Sequence, residues 1–260
     1  TSGCVTGGPA VVNAAMKSGK RAICAGPGNP PVLVDGTGCL KKAARDVIQG
    51  GGFDNNLLCI GEKQVFVLEQ HVGKFLEALK GAGAVQLNAQ QLDKLAAEAF
   101  TFTKDAGGCS HPAVNRKYVG ADAAVLAKVA GASAPAETPI LFAQTDVENL
   151  FVMEEQMMPM IPVVAVKSIE QGIEFAKKSE HGYKHSAIIH SLNVDHMTQM
   201  ARALDTTLFV KNGPSVAGLG LGGEGYLSYS IATTTGEGIT TPKTFTRTRR
   251  CVLVDSLKIY

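Results

Sequence analysis

Cys59 is the residue whose type and position best fit covalent chemistry in this chain. It follows Gly50-Gly51-Gly52, at the end of a helix predicted from residue 40 to about 49, and precedes a predicted strand at residues 64–68. Junctions of this kind bring side chains and backbone close to a ligand. A cysteine there is either a nucleophile or a buried, inert thiol, and the local pattern alone leaves both interpretations open.

Glycine-rich turns mark two further candidate sites. Thr6-Gly7-Gly8 opens a helix predicted over residues 9–18. The free backbone N–H groups of such a helix start favour a phosphate, although the same turn also serves a purely structural role. Gly218-x-Gly220-x-x-Gly223 matches the dinucleotide-binding fingerprint, which requires a strand before it and a helix after it. Neither is predicted here, so we interpret this stretch as a flexible loop.

The histidines and paired carboxylates predict no metal site. His185 and His190 are five residues apart, which on a strand places them on opposite faces. One of them can therefore reach an active site, but the two are not expected to bind one metal. Any single histidine also fits a hydrogen-bonded structural role. Glu154-Glu155 precedes a predicted strand, and adjacent carboxylates are typical of a solvated turn.

Composition and charge exclude several classes of protein. The chain has 260 residues, of which 45% are hydrophobic and 18% charged, enough to bury a large core. A net charge of +2 gives no electrostatic surface for nucleic acid. We find no apolar run that would span a membrane and no signal peptide. The six cysteines include no Cys-x-x-Cys pair, which argues against zinc and disulfides and for a reducing, cytoplasmic compartment.

Helical and strand-like patterns alternate along the chain. Strands are predicted at residues 21–25, 32–35, 64–68, 140–143, 163–167, 187–190 and 208–211, and helices at residues 9–18, 40–49, 71–80, 89–100, 121–130, 168–178 and 194–204. This order predicts an α/β fold with an open, mostly parallel sheet and helices on its faces. Residues 244–254 alternate like a strand, and we expect this arm to pair with a distant strand or another subunit.

Four stretches, in order, make the chain resemble the aldehyde dehydrogenase superfamily. They are residues 5–9 (Val-Thr-Gly-Gly-Pro), 25–31 (Ala-Gly-Pro-Gly-Asn-Pro-Pro), 53–59 (Phe-Asp-Asn-Asn-Leu-Leu-Cys) and 223–251, which ends in Phe-Thr-Arg-Thr-Arg-Arg-Cys. Residues 155–159, Glu-Gln-Met-Met-Pro, look like a divergent form of the superfamily's Glu-x-Phe-Gly-Pro element. More closely, the chain resembles the CoA-acylating branch, the acetaldehyde and propionaldehyde dehydrogenases of ethanolamine and propanediol utilisation. The resemblance covers essentially the whole chain.

The resemblance implies three parts. Residues 1–25 would be the remnant of a Rossmann-type cofactor-binding domain, residues 26–215 the catalytic domain, and residues 216–260 a return segment whose β arm joins subunits into a homo-oligomer. We expect the chain, which begins at Thr1, to be a piece of a longer enzyme. The preceding part would supply most of the NAD pocket, an asparagine of the oxyanion hole, and a peptide that targets a bacterial microcompartment shell. The piece alone is expected to have little dehydrogenase activity.

The resemblance makes Cys59 the catalytic nucleophile. Its thiol is expected to have a pKa lowered from about 8.5 to ~7, so that much of it is thiolate. The sulfur would attack a short-chain aldehyde, while backbone N–H groups near Cys59 hold the oxyanion. Hydride would leave to NAD, and an acyl-cysteine thioester would remain. Thr6, Gly7 and Gly8 would lie along the NAD. Glu155 would hydrogen-bond its nicotinamide ribose.

Ala25 and His185 are the residues from which we predict how the acyl group leaves Cys59. Hydrolytic members of the superfamily have a glutamate base at the position that matches Ala25, and without a carboxylate the activation of water is lost. The resemblance therefore implies transfer of the acyl group to the thiol of coenzyme A. His185 resembles a histidine of the acylating members, and it would transfer a proton to or from the thiohemiacetal or the CoA thiol.

Two other interpretations stay open. A hydrolytic aldehyde dehydrogenase, or a semialdehyde dehydrogenase linked to acyl phosphates, would form a different product, although Ala25 argues against hydrolysis. A non-catalytic assembly or cargo module would use the arm and the apolar surface left by the missing domain. It predicts that Cys59→Ala changes only the local packing.

Overall fold

A computed structural model describes residues 2–104, 110–223 and 225–255 of the chain. Cys109 and Glu224 therefore lie outside the described residues. In chain order the strands and helices are β1 (Ser2–Thr6), α1 (Pro9–Met16), β2 (Arg21–Ala25), β3 (Pro31–Val34), α2 (Leu40–Gly51), β4 (Gln64–Leu68), α3 (Glu69–Gly81), β5 (Val85–Gln86), α4 (Ala89–Ala99), β6 (Phe100–Lys104), β7 (Ser110–Val114), α5 (Ala123–Ala130), β8 (Leu141–Thr145), α6 (Leu150–Met153), β9 (Met160–Val166), α7 (Ile169–Glu180), β10 (Ser186–His190), α8 (Val194–Leu204), β11 (Leu208–Lys211), β12 (Ile231–Ala232) and β13 (Gly238–Ile239). Short 3-10 helices cover Phe53–Asn56, Ser215–Leu219 and Pro242–Phe245. Each strand and helix predicted between residues 9 and 211 is present within a few residues of its expected bounds.

Seven strands form a fully parallel sheet in the order β11–β10–β3–β4–β9–β8–β5. Its central strands are buried along almost their whole length, as in β3 and β4. Continuous apolar runs are typical of parallel strands because crossover helices cover both faces of the sheet. The prediction of an α/β fold with an open, mostly parallel sheet is confirmed. In the described ranges no helix has the length and apolarity that crossing a bilayer requires.

Alternate side chains of the central strands enter two different cores. Val32, Val65 and Val67 pack with α2 and α3 on one face of the sheet. Leu33 and Phe66 pack with α7 and α8 on the other face. Each strand contributes to both cores because successive side chains point to opposite faces. A third core surrounds α4, α5 and β8. These cores hold the strand ends to which the loops of the candidate site are attached.

Three two-stranded units lie outside this sheet within the described residues. β1 and β2 are parallel, whereas β6–β7 and β12–β13 are antiparallel pairs. β12 contacts β2. The N–H of Cys24, in β2, donates to the Oγ1 atom of Thr235, shortly after β12, at 3.0 Å. No strand is predicted from the sequence at β1, β6, β7, β12 or β13. The helix predicted at residues 89–100 ends at Ala99, because Phe100 is already extended, with φ −119° and ψ 140°.

The arm differs from its predicted strand. The Arg21 guanidinium donates to the carbonyl oxygens of Thr244 (3.2 Å) and Thr246 (3.5 Å), which holds the start of the arm near β2. Over the described residues 246–255 the chain forms no strand and is exposed. The backbone groups of a strand need a partner strand. The pairing of the arm with another subunit therefore stays a prediction.

Candidate active site

Cys59 lies in a tight turn between α2 and β4, after the 3-10 helix at Phe53–Asn56. Three consecutive residues of this turn have left-handed backbone angles: Asp54 (φ 50°), Asn55 (φ 50°) and Asn56 (φ 62°). Asparagine and aspartate tolerate this conformation better than other residues with a side chain. The predicted helix-to-strand junction is confirmed, and its Asp-Asn-Asn sequence is what lets the chain reverse before the cysteine.

A buried lysine holds this turn in place. Lys63 has no exposed surface, and its Nζ donates to the Asn56 carbonyl oxygen at 2.7 Å and to Asn56 Oδ1 at 2.5 Å. Asn56 Nδ2 in turn donates to the Glu62 carbonyl oxygen at 2.9 Å. The buried Glu62 carboxylate accepts hydrogen bonds from the Ser215 N–H at 2.8 Å and the Ser215 hydroxyl at 2.6 Å. These bonds join the segments on both sides of Cys59 to the chain after β11.

Gly28 is the point where three of the predicted site residues meet. A Cβ atom at this position would lie 2.5 Å from the Cys59 carbonyl oxygen and 2.9 Å from His185 Cγ, which is too close for any side chain. The Gly28 N–H also donates to the Glu155 carboxylate. Only glycine allows the backbone to run this close to both Cys59 and His185.

The site forms where four loops enter neighbouring parallel strands. The residue that each loop contributes lies shortly before the strand: Gly28 before β3, Cys59 before β4, Glu155 before β9 and His185 before β10. These strands are adjacent in the order β10–β3–β4–β9. Because parallel strands begin at one edge of a sheet, residues that precede them converge there. The amino edge of the sheet therefore carries the site.

His185 is completely buried just before β10. Its backbone N–H donates to Glu180 Oε1 at 3.0 Å, and its Nδ1 lies 2.8 Å from Ser186 Oγ. Its Nε2 has no hydrogen-bond partner among the described residues. Burial and the positive charge of Lys63 lower the pKa of His185 to about 4, so the ring is neutral near pH 7. A buried ring nitrogen without a partner is available to exchange a proton with a substrate.

His190 is at the opposite end of β10 and does not join this site. Its Nδ1 lies 3.8 Å from Asp46 Oδ2, and Lys42 Nζ donates to the same Asp46 oxygen. Burial and the Lys42 charge lower the pKa of His190 to about 4. The two histidines of the predicted pair therefore lie in separate environments.

The electrostatics of the thiol differ from the prediction. Burial and the Glu155 carboxylate raise the pKa of Cys59 to about 11, while Lys63 and the backbone N–H groups of Cys59 and Ile60 act to lower it. The expected value of ~7 for an activated thiol is wrong for this arrangement, because the loss of solvent around the thiolate outweighs the favourable groups. Among the described residues, neither backbone N–H donates to a carbonyl oxygen. Both face the sulfur, where an oxyanion would form.

Glu154 and Glu155 do not form the expected solvated turn. Both are partly buried, and burial raises the pKa of each carboxyl. The Glu155 carboxylate accepts the Gly28 N–H, and the positive charge of Lys63 opposes the rise of its pKa. The interpretation as a solvated turn is wrong for Glu155, because this carboxylate is partly buried and lies beside the half-buried Cys59 thiol, whose pKa it raises.

The predicted nucleotide turn follows the end of β1. Thr6 is the last residue of the strand, and Gly8 is the N-cap of α1 without a side-chain cap. The Gly7 N–H donates to the carbonyl oxygen of Ala25, the last residue of β2, at 3.1 Å. The turn is thus attached to the start of the loop that contacts Cys59. An uncapped helix start presents free N–H groups that suit a phosphate.

The sequence profile described as the aldehyde dehydrogenase family matches residues 2–225. The chain belongs to the aldehyde dehydrogenase family. Within this family it is 45% identical over 256 residues to the acetaldehyde dehydrogenase (acetylating) EutE of Salmonella typhimurium, across 98% of this chain and 54% of that protein. The predicted resemblance to the CoA-acylating branch is confirmed. The chain spans about half the length of the curated relatives it matches.

Solved structures of aldehyde dehydrogenases have the same fold. The Rhodopseudomonas palustris propionaldehyde dehydrogenase, with bound CoA and an acylated cysteine, is 42% identical with a TM-score of 0.89, over 97% of this chain and 56% of that one. A propionaldehyde dehydrogenase from the Clostridium phytofermentans fucose utilisation bacterial microcompartment is 43% identical with a TM-score of 0.89, over 100% of this chain and 58% of that one.

Three residues of this candidate site are not predicted from the sequence: Gly28, Glu62 and Lys63. A Gly-Glu-Lys-Gln stretch ordinarily indicates a solvated turn, yet Glu62, Lys63 and Gln64 are fully buried. The available signal is the position of Glu62 and Lys63 between Cys59 and the buried strand β4, which begins at Gln64. A chain that enters the core at this point has to satisfy its polar side chains internally.

Proposed function

We propose that the chain is part of a CoA-acylating aldehyde dehydrogenase, which oxidises acetaldehyde or propionaldehyde to the acyl-CoA with reduction of NAD. The observation that carries this proposal is the meeting of Cys59 and His185 across Gly28, in the loop that begins at Ala25. The relatives support the chemistry, since one is an acetylating acetaldehyde dehydrogenase and another has bound CoA and an acylated cysteine.

In the proposed first step the Cys59 sulfur attacks the carbonyl carbon of the aldehyde. The carbonyl oxygen takes up negative charge, and the N–H groups of Cys59 and Ile60 stabilise it by about 3 kcal/mol for each donor. Burial keeps the thiol protonated, so a base has to accept its proton as the C–S bond forms. His185 Nε2 is the buried neutral nitrogen that is free to do so.

Hydride then leaves the carbon bound to Cys59, and an acyl group remains on the sulfur. NAD, when bound, supplies the hydride acceptor. The turn of Thr6, Gly7 and Gly8 suits its phosphates because the start of α1 has no side-chain cap. We assign Glu155 to the nicotinamide ribose, because its carboxylate lies beside Cys59 and suits a hydroxyl donor.

Transfer of the acyl group to CoA is the step that Ala25 favours. An alanine supplies no carboxylate to activate water, whereas a thiol needs less activation because part of it is already ionised near pH 7. His185, neutral again once it has released the first proton to solvent, would accept the proton of the incoming thiol and return it to the Cys59 sulfur as the acyl group leaves. Tyr183 and Lys184, which precede His185, line a cavity of about 300 Å³ together with Gly26 and Pro27. This cavity is a suitable entry for the thiol arm of CoA.

The organisation of the chain follows the same proposal. Residues 1–25 belong to the cofactor domain, residues 26–215 to the catalytic domain, and residues 216–260 to the return segment and its arm. The pairing of β1 with β2 outside the seven-stranded sheet supports the first boundary, and the contact of β12 with β2 supports the return. We propose a homo-oligomer joined by the arm, located in the cytoplasm inside a bacterial microcompartment, the source of one relative.

A small thioester tests the acyl-transfer half of this function without NAD. The chain is incubated with S-propionyl-N-acetylcysteamine and digested, and the acylated peptides are identified by mass spectrometry. We expect one propionyl group on Cys59, because that sulfur faces two N–H donors and because His185, which has a free ring nitrogen, contacts the same glycine as Cys59. Added CoA or N-acetylcysteamine should remove the group much faster than buffer alone.

Two variants control this experiment. Cys59→Ala should take up no acyl group. Cys39→Ala, which removes an exposed thiol at the N-cap of α2, beyond the carboxyl end of β3, should leave acylation unchanged. Equal labelling of all cysteines would favour the non-catalytic assembly module. Rapid release of free propionate without an added thiol would favour the hydrolytic enzyme.

A further inference from the structure

Lys63 is a buried ammonium group next to the proposed nucleophile. Its two hydrogen-bond acceptors are both neutral oxygens of Asn56. No carboxylate oxygen of the described residues lies within 4.0 Å of its Nζ. The lysine therefore sits in the core without a direct ion pair, although an ammonium has three N–H groups to satisfy.

This arrangement is costly if the lysine serves packing alone. A buried charge without an ion pair loses its hydration and regains only part of it from neutral acceptors. Burial lowers the pKa of Lys63 to about 8, while Glu155, Cys59 and Glu62 act to keep it charged. The group is therefore still mostly protonated at pH 7. A neutral donor side chain would hold Asn56 with a smaller desolvation cost. The presence of a charge at this position therefore indicates a function in the site.

Four ionisable groups face Lys63 from three segments of the chain. Cys59 and Glu62 belong to its own loop, Glu155 to the loop after α6, and His185 to the segment before β10. The positive charge lowers the pKa of the Cys59 thiol and of the Glu155 carboxyl, and it keeps His185 neutral. The proposed acyl transfer needs a thiol that ionises more readily and an imidazole that is neutral and can accept a proton.

We propose that Lys63 is a positioning residue of the acyl-transfer reaction, which anchors the turn that carries Cys59 and whose fixed charge stabilises the Cys59 thiolate. The proposal rests on the proposed function in one respect, because it takes Cys59 as the nucleophile. The two hydrogen bonds to Asn56 fix the charge in place, and the left-handed turn of residues 54–56 fixes Cys59 relative to it. Lys63 thus acts through Cys59 and contacts no substrate.

The pH dependence of cysteine alkylation separates the charge of Lys63 from its packing. Lys63→Gln keeps an N–H donor for Asn56 but removes the charge, Lys63→Met removes both, and Lys63→Arg keeps the charge. Iodoacetamide labelling of the whole chain is followed at each cysteine by peptide mass spectrometry from pH 6 to pH 10. At a fixed pH below 8, where Lys63 is still mostly protonated, we expect labelling of Cys59 to slow about tenfold in both neutral variants, which corresponds to a rise of ~1 unit in its pKa. Lys63→Arg should retain most of the rate.

Two controls accompany the series. The exposed Cys39 and Cys251 serve as internal controls in every variant, and their rates of labelling should not change. Lys42→Met removes a lysine that also has two acceptors, Asp46 Oδ2 at 2.5 Å and the Asn212 carbonyl oxygen at 2.7 Å, and it should leave the labelling of Cys59 unchanged.

The remaining outcomes would overturn the proposal. Unchanged labelling of Cys59 in Lys63→Gln and Lys63→Met would show that the charge does not act on the thiol. A loss in Lys63→Met alone would assign the residue to packing. Loss of folding in both neutral variants, seen by circular dichroism, would make Lys63 purely structural. Failure of the proposed function would appear separately, as a lack of acyl transfer from the thioester to Cys59 in the unsubstituted chain.

Discussion

His185 keeps one ring nitrogen free at the site because its other polar groups are already satisfied. Its backbone N–H is bound by Glu180, and its Nδ1 by Ser186. His190 provides a natural comparison on the same strand. It is also buried with a pKa of about 4 and an Nε2 without a partner among the described residues, but it lies beside Asp46, at the opposite end of β10 from the contact that His185 makes with Gly28. The chemical difference between the two histidines therefore lies in their position.

Replacement of the two histidines should separate proton transfer from burial. We expect His185→Ala to slow the release of the propionyl group from Cys59 to an added thiol by roughly 10²–10⁴-fold, the range for loss of a general base. His190→Ala removes the same side chain from a buried position and should leave the rate within about twofold of the unsubstituted chain. The substitution leaves the proposed base, His185, in place. Single-turnover mass spectrometry of the acylated chain measures both rates. Equal slowing in the two variants would remove His185 from the mechanism.

At the scale of elements, the end of α2, the Cys59 turn and the chain after β11 form one structural unit. A Cβ atom on Gly50 would lie 2.0 Å from Glu62 Oε2. The Glu62 carboxylate has no room to move, because Ser215 holds it with two hydrogen bonds and it is fully buried. Gly73 in α3 is the contrasting case, since a Cβ atom there would meet nothing within 4 Å.

Alanine at these two helical positions should have opposite effects on stability. We expect Gly50→Ala to lower the free energy of unfolding by roughly 1–3 kcal/mol, because the methyl group displaces the Glu62 carboxylate. Gly73→Ala should raise it by about 0.5–1 kcal/mol, since alanine has the higher helix propensity and here meets no neighbour. Urea unfolding followed by circular dichroism measures both changes. A stabilising Gly50→Ala would contradict the tight packing of the helix end against Glu62.

Local periodicity is enough to predict the longer strands of the main sheet and their helices, but neither the short strands outside this sheet nor the contacts between loops. The strands β3, β4 and β11 and the helices α2 and α8 follow from apolar runs and 3.6-residue spacing. The position of Cys59 at a junction follows in the same way. Its raised pKa does not, because it depends on burial and on Glu155, which is distant in sequence. The same holds for Lys63, whose burial reflects how the loops before four neighbouring strands pack together.

The arm exposes apolar side chains and forms no strand over its described residues 246–255. Its start is held by Arg21, but the apolar side chains of Val252, Leu253 and Val254 are 69%, 60% and 87% exposed. Clustered apolar side chains on a surface indicate a contact with another molecule. Together with the strand-like alternation of residues 244–254, they support the proposal that the arm joins subunits through backbone pairing.

Removal of the arm should therefore weaken self-association without unfolding the chain. We expect a chain that ends at Phe245 to shift towards smaller species, because it loses both the apolar side chains and the backbone groups that would pair. Val252→Lys with Val254→Lys should have a similar effect, since charges at these positions oppose burial in an interface. Val125→Lys, at a position on α5 that is 48% exposed, serves as the matched control. Sedimentation velocity over a range of concentrations measures association, and far-UV circular dichroism checks the fold. If the truncated chain and the lysine variants sediment like the unsubstituted chain, the arm does not join subunits and another surface has to be sought.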